Sequence, residues 1–156
     1  MRRPATGAAL VTVALASLAG TGCGGAKHQP SHAQFSARAE VICAAEGRKL
    51  GYIRSRAQAR GLGARAPTVL RKEAAASRTA TEALEALTRP GGDGREIKRW
   101  LTARTVAATI AIDLAEAPGG EDAAAVAAVG AELQRARARS RSLSGTFGGS
   151  ACDAAV

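Results

Sequence analysis

Apolar side chains recur every three or four residues along four stretches of the chain, with polar residues between them. This spacing places side chains on one face of an α-helix. The stretches cover residues 33–60, 67–88, 93–117 and 121–147. No part of the sequence alternates apolar and polar residues as a half-buried strand would. The pattern therefore predicts an all-α protein with four long helices.

Glycine and proline separate the predicted helices. Gly61-Leu62-Gly63 ends the first, Arg89-Pro90-Gly91-Gly92 the second and Pro118-Gly119-Gly120 the third. Asp93 is followed three residues later by Glu96, which is the spacing of a capping box at the start of the third helix. Connections this short are typical of an up-down-up-down four-helix bundle.

The fourth predicted helix carries the most regular apolar seam in the chain. Its members stand at steps of three and four residues: Val126, Val129, Leu133, Ala136, Ser140, Leu143 and Phe147. A seam of this kind predicts a helix that packs one face into the core without a break. Gly145, Gly148 and Gly149 then release the chain into a tail that holds Cys152.

Residues 1–22 have the organisation of a secretory signal peptide. Arg2 and Arg3 precede an apolar segment from Gly7 to Ala19, which is too short to span a bilayer. With Gly22 directly before Cys23, the segment resembles a bacterial lipoprotein signal in which Cys23 is lipidated, although Gly20 stands where that pattern usually has Leu. The alternative is ordinary cleavage near Ala16, which would give a secreted protein with a free Cys23 thiol.

A short polar segment follows Cys23. Residues 23–32 lack apolar periodicity and include Pro30, which predicts a lipid-anchored flexible tether. Both histidines of the chain, His28 and His32, fall in this segment and are expected to be solvated linker residues. The folded domain is accordingly placed at residues 33–156.

The remaining cysteines are expected to form one disulfide. An odd cysteine count in an exported chain is explained if Cys23 carries lipid and Cys43 pairs with Cys152. In an up-down-up-down bundle, the first helix starts and the fourth ends at the same pole, so the tail can fold back to Cys43. The core needs such a staple, because large apolar side chains are scarce in this Ala-rich sequence.

Several short motifs carry a family resemblance. They are Phe35-(x6)-Ile42-Cys43, Leu87-(x2)-Pro90, Trp100-Leu101 and the terminal Phe147-Gly148-Gly149-Ser150-Ala151-Cys152. Together they resemble small secreted helical lipoproteins of high-GC actinobacteria. The resemblance spans most of the chain after the signal. It implies an anchored, disulfide-bonded helical domain of the cell envelope, and it implies no activity.

The chain is strongly basic, with a formal net charge of +9. Export argues against nucleic acid as the partner, so anionic envelope polymer or lipid headgroups are the accessible anions. Candidate contacts are Arg135, Arg137, Arg139 and Arg141. Two other readings remain open, namely a compositional preference for Arg and favourable placement of cations at the negative end of a helix dipole.

The sequence offers little for catalysis. The predicted folded region has no histidine, and neither metal-ligating nor cofactor-binding patterns occur in it, so no enzyme, metal or cofactor is expected. Glu46 and Trp100 are the remaining candidates for ligand contact. The expected function is a non-enzymatic, lipid-anchored, extracytoplasmic binding or interaction module, with no protein partner identified. The alternative is a small-ligand carrier with a cavity between helices around Trp100 and Glu46.

Overall fold

The computed structural model describes residues 29–117, 123–147 and 149–155. The helices within them are α1 (His32–Gln58), α2 (Pro67–Glu85), α3 (Gly94–Glu116), α4 (Ala123–Ser144) and the short α5 (Gly149–Ala154). These described residues contain no strand, which confirms the predicted all-α class and its four long helices. The expected signal peptide, Cys23 and His28 lie outside them.

Local hydrogen bonds define both ends of α1. At the start, the Ser31 hydroxyl accepts from the Gln34 backbone N–H at 3.2 Å, and the Gln34 side-chain oxygen accepts from the Ser31 N–H at 2.9 Å. This reciprocal pair is a capping box. At the other end, Gly61 adopts φ +69° and the Leu62 N–H donates to the Ala57 carbonyl. That is a Schellman motif, for which glycine is preferred because it has no Cβ.

The start of α3 differs from the prediction. Asp93 holds the N-cap position, but its side chain makes no capping hydrogen bond. Its carboxylate Oδ2 instead lies 2.7 Å from Nδ1 of His32. The predicted capping box with Glu96 is therefore wrong, because a residue distant in sequence competes for the same carboxylate.

The predicted seam of α4 is only partly buried. Leu133, Ser140 and Phe147 are buried, whereas Val126 is 37% exposed. The backbone of α4 lies beside α3 and α5, and within the described residues neither α1 nor α2 approaches it as closely. The first turns of α4 consequently have few neighbours to cover them.

The C-terminal tail forms a helix of its own. Gly149 begins α5 with φ +59°, a conformation that side chains with a Cβ rarely adopt. α5 packs against both α1 and α4. The Ser144 hydroxyl of α4 donates to the carboxylate of Asp153 in α5. The tail therefore bridges the first and fourth helices.

Two apolar clusters form the core. The first surrounds the cysteines and contains Phe35, Ala39, Cys43, Leu84, Ile97, Trp100, Leu101, Phe147, Cys152 and Ala155. The second contains Leu70, Ala74, Ala108, Ile110, Ala111, Ala115 and Leu133. None of the helices in the described residues combines the length and hydropathy that a bilayer-spanning segment needs.

Candidate functional site

A disulfide joins α1 to α5. Cys43 and Cys152 are bonded with their Cα atoms 4.8 Å apart, and both residues are fully buried. The predicted pairing is confirmed. The two residues are separated by 109 positions, so the bond ties the first helix to the last described one.

His32 joins three segments close to this disulfide. Its Nδ1 faces the Asp93 carboxylate at 2.7 Å, and its Nε2 faces the Thr146 carbonyl oxygen at 2.8 Å. The imidazole also contacts the ring of Phe147, with the ring centroids 5.5 Å apart. The predicted linker role of His32 is therefore wrong, because its ring connects the starts of α1 and α3 with the turn after α4, although the ring remains solvent-exposed as expected.

These contacts favour the imidazolium form of His32. Both ring nitrogens face hydrogen-bond acceptors, and only the protonated ring can donate from both. The hydrogen bond to Asp93, together with that to Thr146, raises the pKa of His32 above its ordinary value, while partial burial opposes the shift.

We expect His32 to make the stability of the protein depend on pH. Since its folded pKa is raised, the extra stability is complete below about pH 6.5 and is lost as pH rises through the folded pKa. The ring is 48% exposed, so the loss is at most about 1 kcal/mol. Urea unfolding at about pH 6 and about pH 8.5 measures it. The difference should shrink in His32→Gln, and a wild-type protein with no such difference would contradict the assignment.

A buried ion pair crosses the centre of the bundle. Arg104 of α3 pairs with Glu46 of α1, and both side chains are almost completely buried. Ser77 donates to Glu46 Oε1 at 2.7 Å, and the Arg104 Nε donates to the Thr81 hydroxyl at 3.2 Å. Burial raises the pKa of Glu46, and Arg104 and Ser77 offset only part of that shift. The guanidinium carbon of Arg104 also lies 5.7 Å from the ring centre of Trp100, within range of a cation–π contact.

A second acid, Glu73 of α2, links two further helices. It accepts from Arg54 of α1 at 2.7 Å and from Arg137 of α4 at 3.1 Å. Glu46, Glu73 and their arginines line a cavity of about 30 Å³ together with small alanine side chains. Such a volume holds one or two water molecules. Trp100 is fully buried in the first core cluster and is not among the cavity-lining residues.

The four arginines of α4 do not form one patch. Residues two apart on a helix point in nearly opposite directions, because each residue advances the helix by about 100°. Arg137 binds Glu73, and Arg141 lines with it a groove of about 340 Å³ against α2 and α3. Arg135 is exposed, and Arg139 points toward α3.

Arg139 instead contributes to a basic groove between α3 and α4, about 340 Å³ in volume. Its cations are Arg95, Lys98, Arg99 and Arg139, and its remaining lining residues are Thr102, Ala103, Val106 and Ala136. No acidic side chain lines this α3–α4 groove. Val106 is 45% exposed, so apolar surface is open to solvent between the cations.

The three basic residues of α3 were not recognised as a candidate site from the sequence. Arg95, Lys98 and Arg99 stand at i, i+3 and i+4, which is a sequence signal for one helical face. The apolar residues between them predict only the core-facing side of the same helix. That Arg139 completes the set depends on how α4 packs against α3.

A second basic groove lies between the C-terminal end of α1 and the start of α2. It is about 390 Å³ in volume and is lined by Tyr52, Ile53, Arg56, Ala57, Arg60, Leu62, Thr68, Val69 and Lys72. We call it the α1–α2 groove. Tyr52 and Leu62 are both exposed there.

No protein-family model, curated protein or solved structure matches this chain.

Proposed function

We propose that this chain is a non-enzymatic, extracytoplasmic binding module of the cell envelope, held to the membrane by lipid on Cys23. Its binding surface is the α3–α4 groove, and its ligand is an anion. The observation that carries the proposal is the set of four cations around one apolar floor, with no acid among the lining residues. Charges of one sign in a concave site concentrate the opposite charge there.

The small-ligand carrier is supported less well. A pocket for a small organic ligand has a volume of about 300–1,000 Å³. The interior cavity beside Glu46 is only about 30 Å³, and its charged groups already pair with one another. The geometry therefore favours binding at the surface over enclosure between the helices.

We further infer that α1 to α4 alternate up and down. Glu46 contacts Ser77, while Arg54, further along α1, contacts Glu73, which comes earlier in α2. Between α2 and α3 the same reversal holds, since Thr81 contacts Arg104 and Arg71 contacts the Ala115 carbonyl. Contacts that advance on one helix and retreat on the next support antiparallel neighbours.

The anchor rests on the N-terminal sequence and on the resemblance to small secreted helical lipoproteins of high-GC actinobacteria. We propose residues 1–22 as the signal peptide and residues 23–31 as the segment that connects the lipid to the domain, because α1 begins at His32. Intact-mass analysis of the membrane-extracted protein should give a chain that begins at Cys23 and carries diacylglycerol. A mature chain that begins elsewhere would remove the anchor from the proposal.

Binding of a soluble polyanion tests the groove. The chain carrying Cys23→Ala should bind long-chain polyphosphate, and a rise in salt from about 0.05 M to about 0.5 M should weaken that binding strongly. Arg95→Glu with Arg99→Glu should abolish it, because reversal places two acids among the remaining cations. Fluorescence anisotropy measures the affinity.

The matched control reverses the same number of charges elsewhere. Arg48→Glu with Arg78→Glu alters exposed residues of α1 and α2 that do not line this groove. This control should keep most of the affinity, losing only what the change in net charge causes. Equal losses in both double variants would show that binding follows net charge and not the groove.

A further inference from the structure

The chain leading from Cys23 meets the domain at one end of the helices. The Gln29 side-chain oxygen lies only 2.6 Å from the position that a Cβ on Gly91 would occupy. Three residues later, His32 contacts both Asp93 and the Thr146 carbonyl. The segment before α1 is therefore held against the start of α3 and the end of α4.

The α3–α4 groove opens at this same end. Arg95 follows Asp93 by two residues, and Lys98 and Arg99 lie at the start of the second turn of α3. Arg139 lies in the last two turns of α4, just before the turn that His32 contacts. The contacts of His32 thus place the groove's cations beside the point where the tether joins the domain.

Chain length keeps this end near the lipid. The eight residue steps from Cys23 to Ser31 reach at most about 28 Å when fully extended. The α1–α2 groove is farther away, because Arg56 lies about 36 Å along α1 from His32 at 1.5 Å per residue. A membrane that holds Cys23 therefore meets the α3–α4 groove before the α1–α2 groove.

We propose that the α3–α4 groove docks on the anionic phospholipid headgroups of the membrane that holds the anchor. This inference rests on the proposed lipid anchor and on the groove as the binding surface. The guanidinium groups of Arg95, Arg99 and Arg139 match phosphate oxygens, and Lys98 adds a further positive charge. Ala103, Val106 and Ala136 offer an apolar floor to the glycerol and the first methylene groups.

Docking would give the protein a second attachment. The diacylglycerol proposed on Cys23 tethers the chain, and a basic patch beside it adds electrostatic attraction to anionic headgroups. Each Lys or Arg near an anionic bilayer adds about 1 kcal/mol, which is a factor of about five in affinity. The groove also fixes which end of the helices faces the lipid, leaving the α1–α2 groove exposed toward the opposite side.

Vesicle binding tests the docking without the anchor. The chain carrying Cys23→Ala is mixed with vesicles of phosphatidylcholine alone or with one third phosphatidylglycerol, and bound protein is measured by co-sedimentation. We expect binding only to the anionic vesicles. Arg95→Gln with Arg99→Gln should weaken it about 25-fold, at about fivefold per cation.

Two further variants separate docking from general charge. Arg56→Gln with Lys72→Gln removes the same charge from the α1–α2 groove and should change the vesicle affinity less than about threefold. Val106→Asn makes the floor of the α3–α4 groove polar without changing charge. It should weaken vesicle binding while leaving polyphosphate binding unchanged, because only the lipid presents apolar groups to the floor.

The outcomes distinguish the two levels of the proposal. If polyphosphate binding depends on the groove but anionic vesicles bind no better than neutral ones, lipid docking is wrong and the anion-binding function stands. If both pairs of neutralised residues weaken vesicle binding equally, the proposed orientation is wrong. If neither probe binds through the groove, both proposals fail.

Discussion

Replacing Cys43 and Cys152 together with alanine is expected to lower the free energy of unfolding by about 4–5 kcal/mol. The disulfide joins residues 109 positions apart, so its loss frees nearly the whole folded chain in the unfolded state. Because a small domain has only about 5–15 kcal/mol of stability, the doubly substituted protein should be marginally folded. Urea unfolding followed by circular dichroism, with and without reductant, measures the change.

The composition of the core adds weight to this expectation. Trp100, Phe35, Leu84 and Ile97 are the largest fully buried side chains, and alanines supply much of the remaining core. Small side chains bury little apolar area, so chain constraint accounts for more of the stability. The Cys23→Ala variant is the matched control and should unfold like the unsubstituted protein. Equal midpoints for the oxidised and reduced proteins would contradict the assigned role of the disulfide.

The second large effect is expected at the buried ion pair. Arg104→Met should lower the free energy of unfolding by about 3–5 kcal/mol, because Glu46 would keep its burial and lose its compensating charge. Denaturant unfolding at about pH 7 measures it. The defect should diminish at lower pH. A buried acid with a raised pKa binds a proton more readily in the folded than in the unfolded state. The protein therefore loses folding stability as pH rises and the acid is deprotonated.

A double variant separates charge from packing in this prediction. Glu46→Gln with Arg104→Met removes both charges while the new amide oxygen can still accept from Ser77. Replacing a buried pair by neutral side chains often costs little, so the double variant should be more stable than Arg104→Met alone and less sensitive to pH. A double variant as unstable as the single one would show that packing of Arg104, including its contact with Trp100, dominates.

Local rules account for what the sequence predicted correctly. As expected, α1 ends just before Gly61 and α2 begins at Pro67. Backbone preferences and caps act over only a few residues, so the sequence indicates both boundaries. The Cys43–Cys152 pairing was also predicted correctly from the sequence, on the expectation that the chain is exported and that Cys23 is the odd cysteine. The incorrect predictions, such as the capping box at Asp93, failed because residues distant in sequence compete for the same side chains. Nothing near Asp93 in sequence indicates that His32 would take its carboxylate.

The sequence predicted the candidate site only in part. Arg139 was among the predicted contacts, yet its neighbours in sequence face elsewhere, with Arg137 turned toward Glu73. Four arginines at every second position are close together in the sequence, but on a helix they point to different faces because each residue is rotated by about 100° from the last. The groove arises where the faces of two separate helices meet.

The sequence by itself determined the helical class, most helix boundaries and the pairing of the two buried cysteines. These follow from periodicity, from chain-breaking residues and from cysteine count, all of which can be read along one dimension. Only the tertiary structure decided that Glu46 meets Arg104, that His32 holds three segments together and that Arg139 joins Arg95 and Arg99 around one groove. Such groupings depend on how the helices pack, because side chains far apart in the chain become neighbours only when their helices lie side by side.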